Sequence, residues 1–195
     1  PGDAPDLKRG FNIFEERENT DNETIISSFN SIFDTELRFN DQWKLSSQVG
    51  IQWDQSSQEQ YVGENTFNMR NIREDSSYDE NQYIVPKGGM HTVNNATTSQ
   101  ITWKVQGEYK NTFNDIHDIQ IMAGSEIRKN WYNTQFTAGY GYDPKTLTTK
   151  PLNIRNDKDA EKYKLHTKTY QENAFASFYT TGSYSFMSRY TICLL

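Results

Sequence analysis

Three histidines, His91, His117 and His166, are the side chains best suited to metal binding or proton transfer, but their spacing fits no ligand pair on a strand or helix. The one cysteine, Cys193, excludes an internal disulfide and any Cys-based zinc cluster. Isolated polar residues therefore account for the histidines better than a metal site. Asn156, Asp157, Asp159 and Glu161 place carboxylates as part of a calcium loop would. The glycine and the later bidentate Glu are missing, so a solvated loop starting a short helix at Asn156 is the better reading. Glu15 and Glu16 form no catalytic pair, and nothing sets a raised-pKa acid against a partner base. Ser177, Ser183 and Ser185 lack a nucleophile elbow and read as the polar face of a strand. Pro86-Lys87-Gly88-Gly89 is a turn and not a phosphate cradle, because no helix pattern follows it. Asn22-Glu23-Thr24 and Asn95-Ala96-Thr97 match glycosylation acceptors, but sequons this short arise by chance. The chain is expected to hold no catalytic residue, metal or cofactor, and not to be an enzyme.

The remaining candidates are aromatic. Trp131, Tyr132, Phe136, Tyr140 and Tyr142 cluster in a stretch that reads as a long loop, where rings could stack on sugars or line a peptide channel. Packing among themselves to order that loop explains them equally well.

The elements that must position these residues follow from composition and alternation. Only 34% of the 195 residues are hydrophobic while 14% are aromatic, so much of the apolar surface comes as rings with polar edges. Tyr and Trp favour membrane interfaces, where one end is greasy and the other wet. The mean hydropathy of -0.91 excludes a helical membrane protein. It does not exclude a barrel, whose strands alternate apolar and polar side chains. A net charge of -6 argues against nucleic acid as a partner, since phosphate binding needs a basic surface.

Alternation is clearest from Trp43 to Trp53, where Trp43, Leu45, Val49, Ile51 and Trp53 share one face and Lys44, Ser46, Gln48, Gln52 and Asp54 the other. About 9 to 11 residues suffice for a tilted strand to cross a bilayer. Thr97 to Lys110 sets Ile101, Trp103, Val105 and Tyr109 against Gln100, Lys104, Gln106 and Glu108. His117 to Arg128 sets Ile119, Ile121, Ala123 and Ile127 against Asp118, Gln120, Gly124 and Glu126, with Met122 the apolar exception. Ala174 to Phe186 does the same, with Phe175 and Tyr179 breaking its polar face. Ile25 to Phe39 fits both a strand and an amphipathic helix. Its β-branched and aromatic content, and the short turn Asn40 to Gln42 into the next strand, favour strand. A further strand begins at Tyr190.

Short turns at Asn40 to Gln42, Asn111 to Ile116 and Met187 to Arg189 alternate with long connections near 55–96 and 129–173. Outer-membrane barrels sort their connections this way, with turns in the periplasm and loops outside. Five full strands and a partial sixth cannot close a barrel, so further strands are expected from sequence beyond this chain. The division expected is a polar N-terminal segment over 1–23 and a partial barrel over 24–195.

The stretch from Glu172 to Tyr190, ENAFASFYTTGSYSFMSRY, resembles a recurring barrel hairpin of the SusC/RagA family of TonB-dependent transporters. Ser177, Phe178, Tyr179, Tyr184, Phe186, Arg189 and Tyr190 match it, while Thr180, Thr181 and Ser188 stand where Gly, Arg and Asp are more usual. His117 to Gly124 with Glu126 is similar to the family's His-x-Leu segment leading into a Gly-x-Glu strand. The resemblance implies a 22-stranded barrel with a plug, a TonB box and a SusD-like lipoprotein lid, importing glycans or peptides through the outer membrane of a Gram-negative bacterium. No plug or TonB-box segment is recognisable in this chain.

The competing expectation is a soluble all-β carbohydrate-binding or adhesin module, in which a second sheet of the same chain covers Trp43, Trp53, Ile101, Trp103 and Ile119. The barrel reading predicts that the segment expressed alone needs detergent to stay dispersed, because its greasy face and strand edges lack partners. Size-exclusion chromatography with and without detergent checks this. A monomeric soluble product with a cooperative melt would contradict it.

Overall fold

The computed structural model describes residues 10–194, so residues 1–9 of the N-terminal segment and Leu195 lie outside the described residues. A short helix, α1 (Ile13–Glu18), opens the described chain; its N-cap Asn12 accepts a hydrogen bond from the Phe14 N–H. Then come β1 (Thr20–Arg38), β2 (Trp43–Val62), α2 (Phe67–Glu74), β3 (Ser77–Asp79), β4 (Gln82–Tyr83), β5 (Gly89–Phe113) and β6 (His117–Tyr142). The chain continues through α3 (Asp157–Lys162), β7 (His166–Phe186) and β8 (Tyr190–Leu194). Six strands form one sheet in the order β1-β2-β5-β6-β7-β8, and β3 and β4 form a separate hairpin. The fold is all-β, an up-and-down antiparallel sheet of the kind that makes a barrel wall, and it is not closed among the described residues.

Ile25 to Phe39 is strand and not helix. Its partners fall in β1 as they rise in β2, with Glu36 beside Lys44, Asp34 beside Gln48 and Asn22 beside Gln58. The turn between the two strands is set by Asn40, whose side chain accepts from the Gln42 and Trp43 N–H groups at 2.9 and 2.8 Å. At the other tight turns, Asn114, Asp115, Met187 and Ser188 take positive φ. β7 and β8 pair with Tyr184 opposite Ile192 and Phe186 opposite Tyr190.

The strands run further than alternation implies. β2 continues to Val62, β5 begins at Gly89 and β6 extends to Tyr142, so the long connections shrink to 63–88 and 143–165. Apolar alternation stops near Trp53, Ile101 and Ile127, but ladder hydrogen bonds join backbone to backbone and persist where both faces are polar. Trp131, Tyr132, Phe136, Tyr140 and Tyr142 consequently lie on β6 and not in a loop.

Two compact units share these strands. Among the described residues, one comprises 10–27, 55–96 and 133–169; the other comprises 28–54, 97–132 and 170–194. Every buried hydrophobic side chain among the described residues, namely Val62, Met69, Ile84, Val85, Ala138 and Tyr163, belongs to the first unit. There α2, β3, β4 and α3 fold into a small core with Val62 of β2, onto which Ile72, Met90, Tyr140 and Leu152 pack. Its two fully buried hydroxyls, Thr66 and Ser76, are hydrogen-bonded, whereas the Tyr163 hydroxyl finds no hydrogen-bond partner among the described residues. The Thr66 hydroxyl donates to the Gly63 carbonyl at 2.8 Å and accepts from the Met69 N–H at 3.1 Å, capping α2. The Ser76 hydroxyl donates to the Arg73 carbonyl at 2.6 Å and accepts from the Val85 N–H at 3.1 Å. Asn156 caps α3 by accepting from the Asp159 N–H at 3.0 Å.

The second unit has no such core. Trp43 is 51% exposed, Trp103 50%, Phe33 61% and Ile101 41%, although all sit inside regular strands. No second sheet lies over this face among the described residues.

Met69→Ala is expected to cost the first unit about 2 to 5 kcal/mol through the cavity it leaves. Hydrogen exchange reads this as lost amide protection at Met69 and Val85, with protection at Gln48 and Lys104 unchanged.

Candidate functional site

In the second unit, alternate side chains of the strands assemble a polar surface. The Lys44 ammonium lies 3.5 Å from Glu36 and 3.2 Å from Glu108, and Arg38 reaches Glu36 at 2.8 Å. Gln48 donates to Asp34 at 2.7 Å and Gln106 donates to Glu108 at 2.7 Å. Asp34, Glu36, Gln48, Lys104 and Gln106 border a hollow of about 360 Å³. Tyr179 joins this wet surface. Its hydroxyl donates to Gln106 at 3.1 Å, and the Lys104 ammonium sits 5.5 Å from its ring centre. The ring lies over Gly124, where any Cβ would collide with it. Tyr179, which looks out of place in a polar stripe, is thus held by a glycine on the neighbouring strand.

The opposite face carries the rings and aliphatics. Trp43 packs on Tyr109 with ring centres 4.7 Å apart, and the Trp103 indole donates to the Ser47 hydroxyl at 3.1 Å. His117 opens β6 there, with its Nδ1 2.7 Å from the Tyr184 hydroxyl and its ring stacked on that tyrosine.

The first unit holds a different hollow, of about 650 Å³, bordered by Tyr61, Glu64, Lys87, Tyr142, Lys145 and Lys150 among others. Burial, with Glu64 adding to it, raises the Tyr61 pKa, so this phenol keeps its proton. Asp143 is held below the usual carboxylate range chiefly by the Lys145 backbone N–H, which donates to it at 2.9 Å. His91 places its Nε2 2.6 Å from Glu59, and its ring stacks on Tyr142 at 4.8 Å.

Of the five aromatic candidates, only Tyr142 borders this hollow. Tyr140 turns into the core, edge-on to Tyr163 at 6.2 Å, where burial raises its pKa. Phe136 is half-buried, Tyr132 is exposed, and Trp131 lies under the Lys129 ammonium at 5.2 Å. Trp131 and Tyr132 belong to the second unit and Phe136, Tyr140 and Tyr142 to the first, so the five are not one cluster. Gly141, at φ 62°, interrupts the alternation and explains why Tyr140 and Tyr142 meet different neighbours. Sequence reasoning missed Tyr61, Lys87, Lys145 and Lys150. The signals available were the glycines Gly88, Gly89 and Gly141, which mark where separate segments come close.

No family model matches the chain, and no curated protein matches it in sequence. Among solved structures it is similar to the RagAB peptide transporter, with a TM-score of 0.65, 14% identity and 87% of this chain aligned. The RagAB peptide importer in its closed-closed and open-open states is similar to the same degree. The chain spans only 16 to 17% of the length of those proteins. At this identity the likeness is one of fold.

Gly124→Val is expected to displace the Tyr179 ring and cost about 1 to 3 kcal/mol by overpacking. Tyr179→Phe, which loses only the bond to Gln106, should cost about 1 kcal/mol. Thermal unfolding in detergent micelles ranks the two, and an equal, negligible effect would refute the packing described.

Proposed function

We propose that this chain is a section of the wall of an outer-membrane transporter of the SusC/RagA, TonB-dependent kind, importing nutrient oligomers, peptides foremost, into a Gram-negative bacterium. One observation carries the reading: the second unit keeps its apolar face open, while among the described residues all buried hydrophobic side chains lie in the first. Such a sheet is stable where hydrocarbon covers that face. The run from Trp43 to Trp53 has the length of one bilayer crossing, with an indole at each end at headgroup depth. A soluble binding module needs Trp43, Trp53, Ile101, Trp103 and Ile119 covered; the first four are exposed and Ile119 is half-buried.

In this reading the turns at 40–42, 114–116 and 187–189 face the periplasm, and the long connections 63–88 and 143–165 are outer loops. The polar side chains of the second unit face a watery bore. The chain performs no covalent chemistry. The domain division carries over as 1–23 preceding a partial barrel of 24–195. A plug, a TonB box and the remaining strands come from elsewhere in the parent protein, and a SusD-like lipoprotein pairs with its outer side. The fold shared with structures described as peptide transporters favours peptide over glycan as cargo.

The test combines placement with transport. A variant keeping Trp103 as its only tryptophan should be quenched by lipids brominated in mid-chain. Ile101→Arg should lower stability in bilayers by about 2 to 4 kcal/mol. Cells whose parent gene lacks codons 97–132 should lose growth on peptide as sole nitrogen source. Absence of lipid quenching, or unaltered growth, would overturn the assignment.

A further inference from the structure

The hollow in the first unit is more than a gap between loops. Gly88, at φ 140°, approaches the Gly141 backbone so closely that a Cβ on it would overlap main-chain atoms. A Cβ on Gly89 would meet the Val62 carbonyl and the Tyr61 ring. Two segments far apart in sequence therefore cross in contact, and three glycines make the crossing possible. Lys150 is pinned there: its N–H donates to the Tyr140 carbonyl at 2.9 Å and its Nζ donates to the Lys87 carbonyl at 3.0 Å. Its charge is thereby fixed in place.

Lys87 and Lys145 stand at the rim, and neither forms an ion pair among the described residues. Asp143 turns its carboxylate to the Lys145 N–H and tightens its own turn. With Glu64 included, three ammoniums face two carboxylates, a net single positive charge. That balance matches a monoanion. A dianion would meet Glu64 as well. Tyr61 and Tyr142, edge to face at 5.7 Å, form an amphipathic wall for the uncharged part of a ligand, and Asn19 and Asn65 add amide donors and acceptors. The volume of about 650 Å³ suits a ligand of a few residues.

We infer that this hollow is a capture site for the carboxylate of a short peptide, with Lys87, Lys145 and Lys150 as the anion grip and the Tyr61–Tyr142 pair as its wall. The choice of peptide rests on the import function proposed above, whereas the charge selectivity rests on the geometry alone.

Calorimetry on the full chain in detergent micelles tests it, using N-acetyl-tetra-alanine with a free C-terminus, its C-terminal amide, and inorganic phosphate. The free acid should bind about tenfold more tightly than the amide, a difference of about 1.4 kcal/mol. It should also bind more tightly than phosphate. Lys87→Gln with Lys145→Gln should abolish the preference by bringing the affinity for the free acid down to that for the amide, and Lys87→Arg with Lys145→Arg should retain it. Equal affinity for acid and amide, tighter binding of phosphate, no binding at millimolar peptide, or an unaffected preference in the double Gln variant would each overturn the inference. Lipid quenching of Trp103 is independent of all these readouts, so the site can fail while the transporter reading stands, and the reverse.

Discussion

A backbone amide or carbonyl taken out of water must find a partner, and a sheet meets that demand for every strand except those at its edges. The six-stranded sheet is organised by this constraint. Its strands are long, up to 26 residues in β6, and its connections at one end are tight. What remains unsatisfied is apolar surface: in the second unit, Phe29, Phe33, Trp43 and Trp103 stand in regular strand with half or more of their surface exposed. In water that arrangement would be costly, at roughly 25 cal/mol for each Å² of apolar area left exposed. Surrounded by hydrocarbon it costs nothing, and the polar partners of the same strands then need water or protein on the other side.

The two units solve different problems with the same strands. In the first, the connections bring their own apolar side chains, Met69, Ile84, Val85 and Tyr163, and close a small core against Val62 of β2. Thr66 and Asn156 each accept from one of the helix N–H groups that such short helices leave open. In the second, the side chains facing one another across the strands are charged or amidic, and their mutual pairs, such as Lys44 with Glu36 and Glu108, hold a wet surface without a core. Exposed ion pairs of this kind contribute little stability individually. Their arrangement keeps the surface polar and orders long side chains.

Much of this was legible from residue order. The period-two pattern placed β2, β5, β6 and β7, since a strand with unlike faces has to alternate, while β1 was read from its residue types and the short turn that follows it. The helix at Asn156 followed from its side chain. The helical alternative for Ile25 to Phe39 was excluded by the neighbouring strand, which offers partners along its whole length. The far ends of the strands were not legible. Once both faces turn polar, as in Asn94 to Gln100, alternation vanishes although the ladder continues. The aromatic stretch on β6 was consequently read as a loop.

Sequence by itself determined most of the sheet: where β2, β5, β6 and β7 alternate, which of their faces is apolar, and that Trp43 to Trp53 is long enough for about one bilayer crossing. These are properties of neighbours in the chain, and a two-residue period records them. Only the tertiary structure decided that Tyr140 enters a core while Tyr142 borders a hollow, that Gly124 makes room for Tyr179, and that Lys87, Lys145 and Lys150 converge with Tyr61. Those meetings join segments separated by tens of residues, and they depend on register and on a positive φ at Gly141, neither of which leaves a local periodic trace.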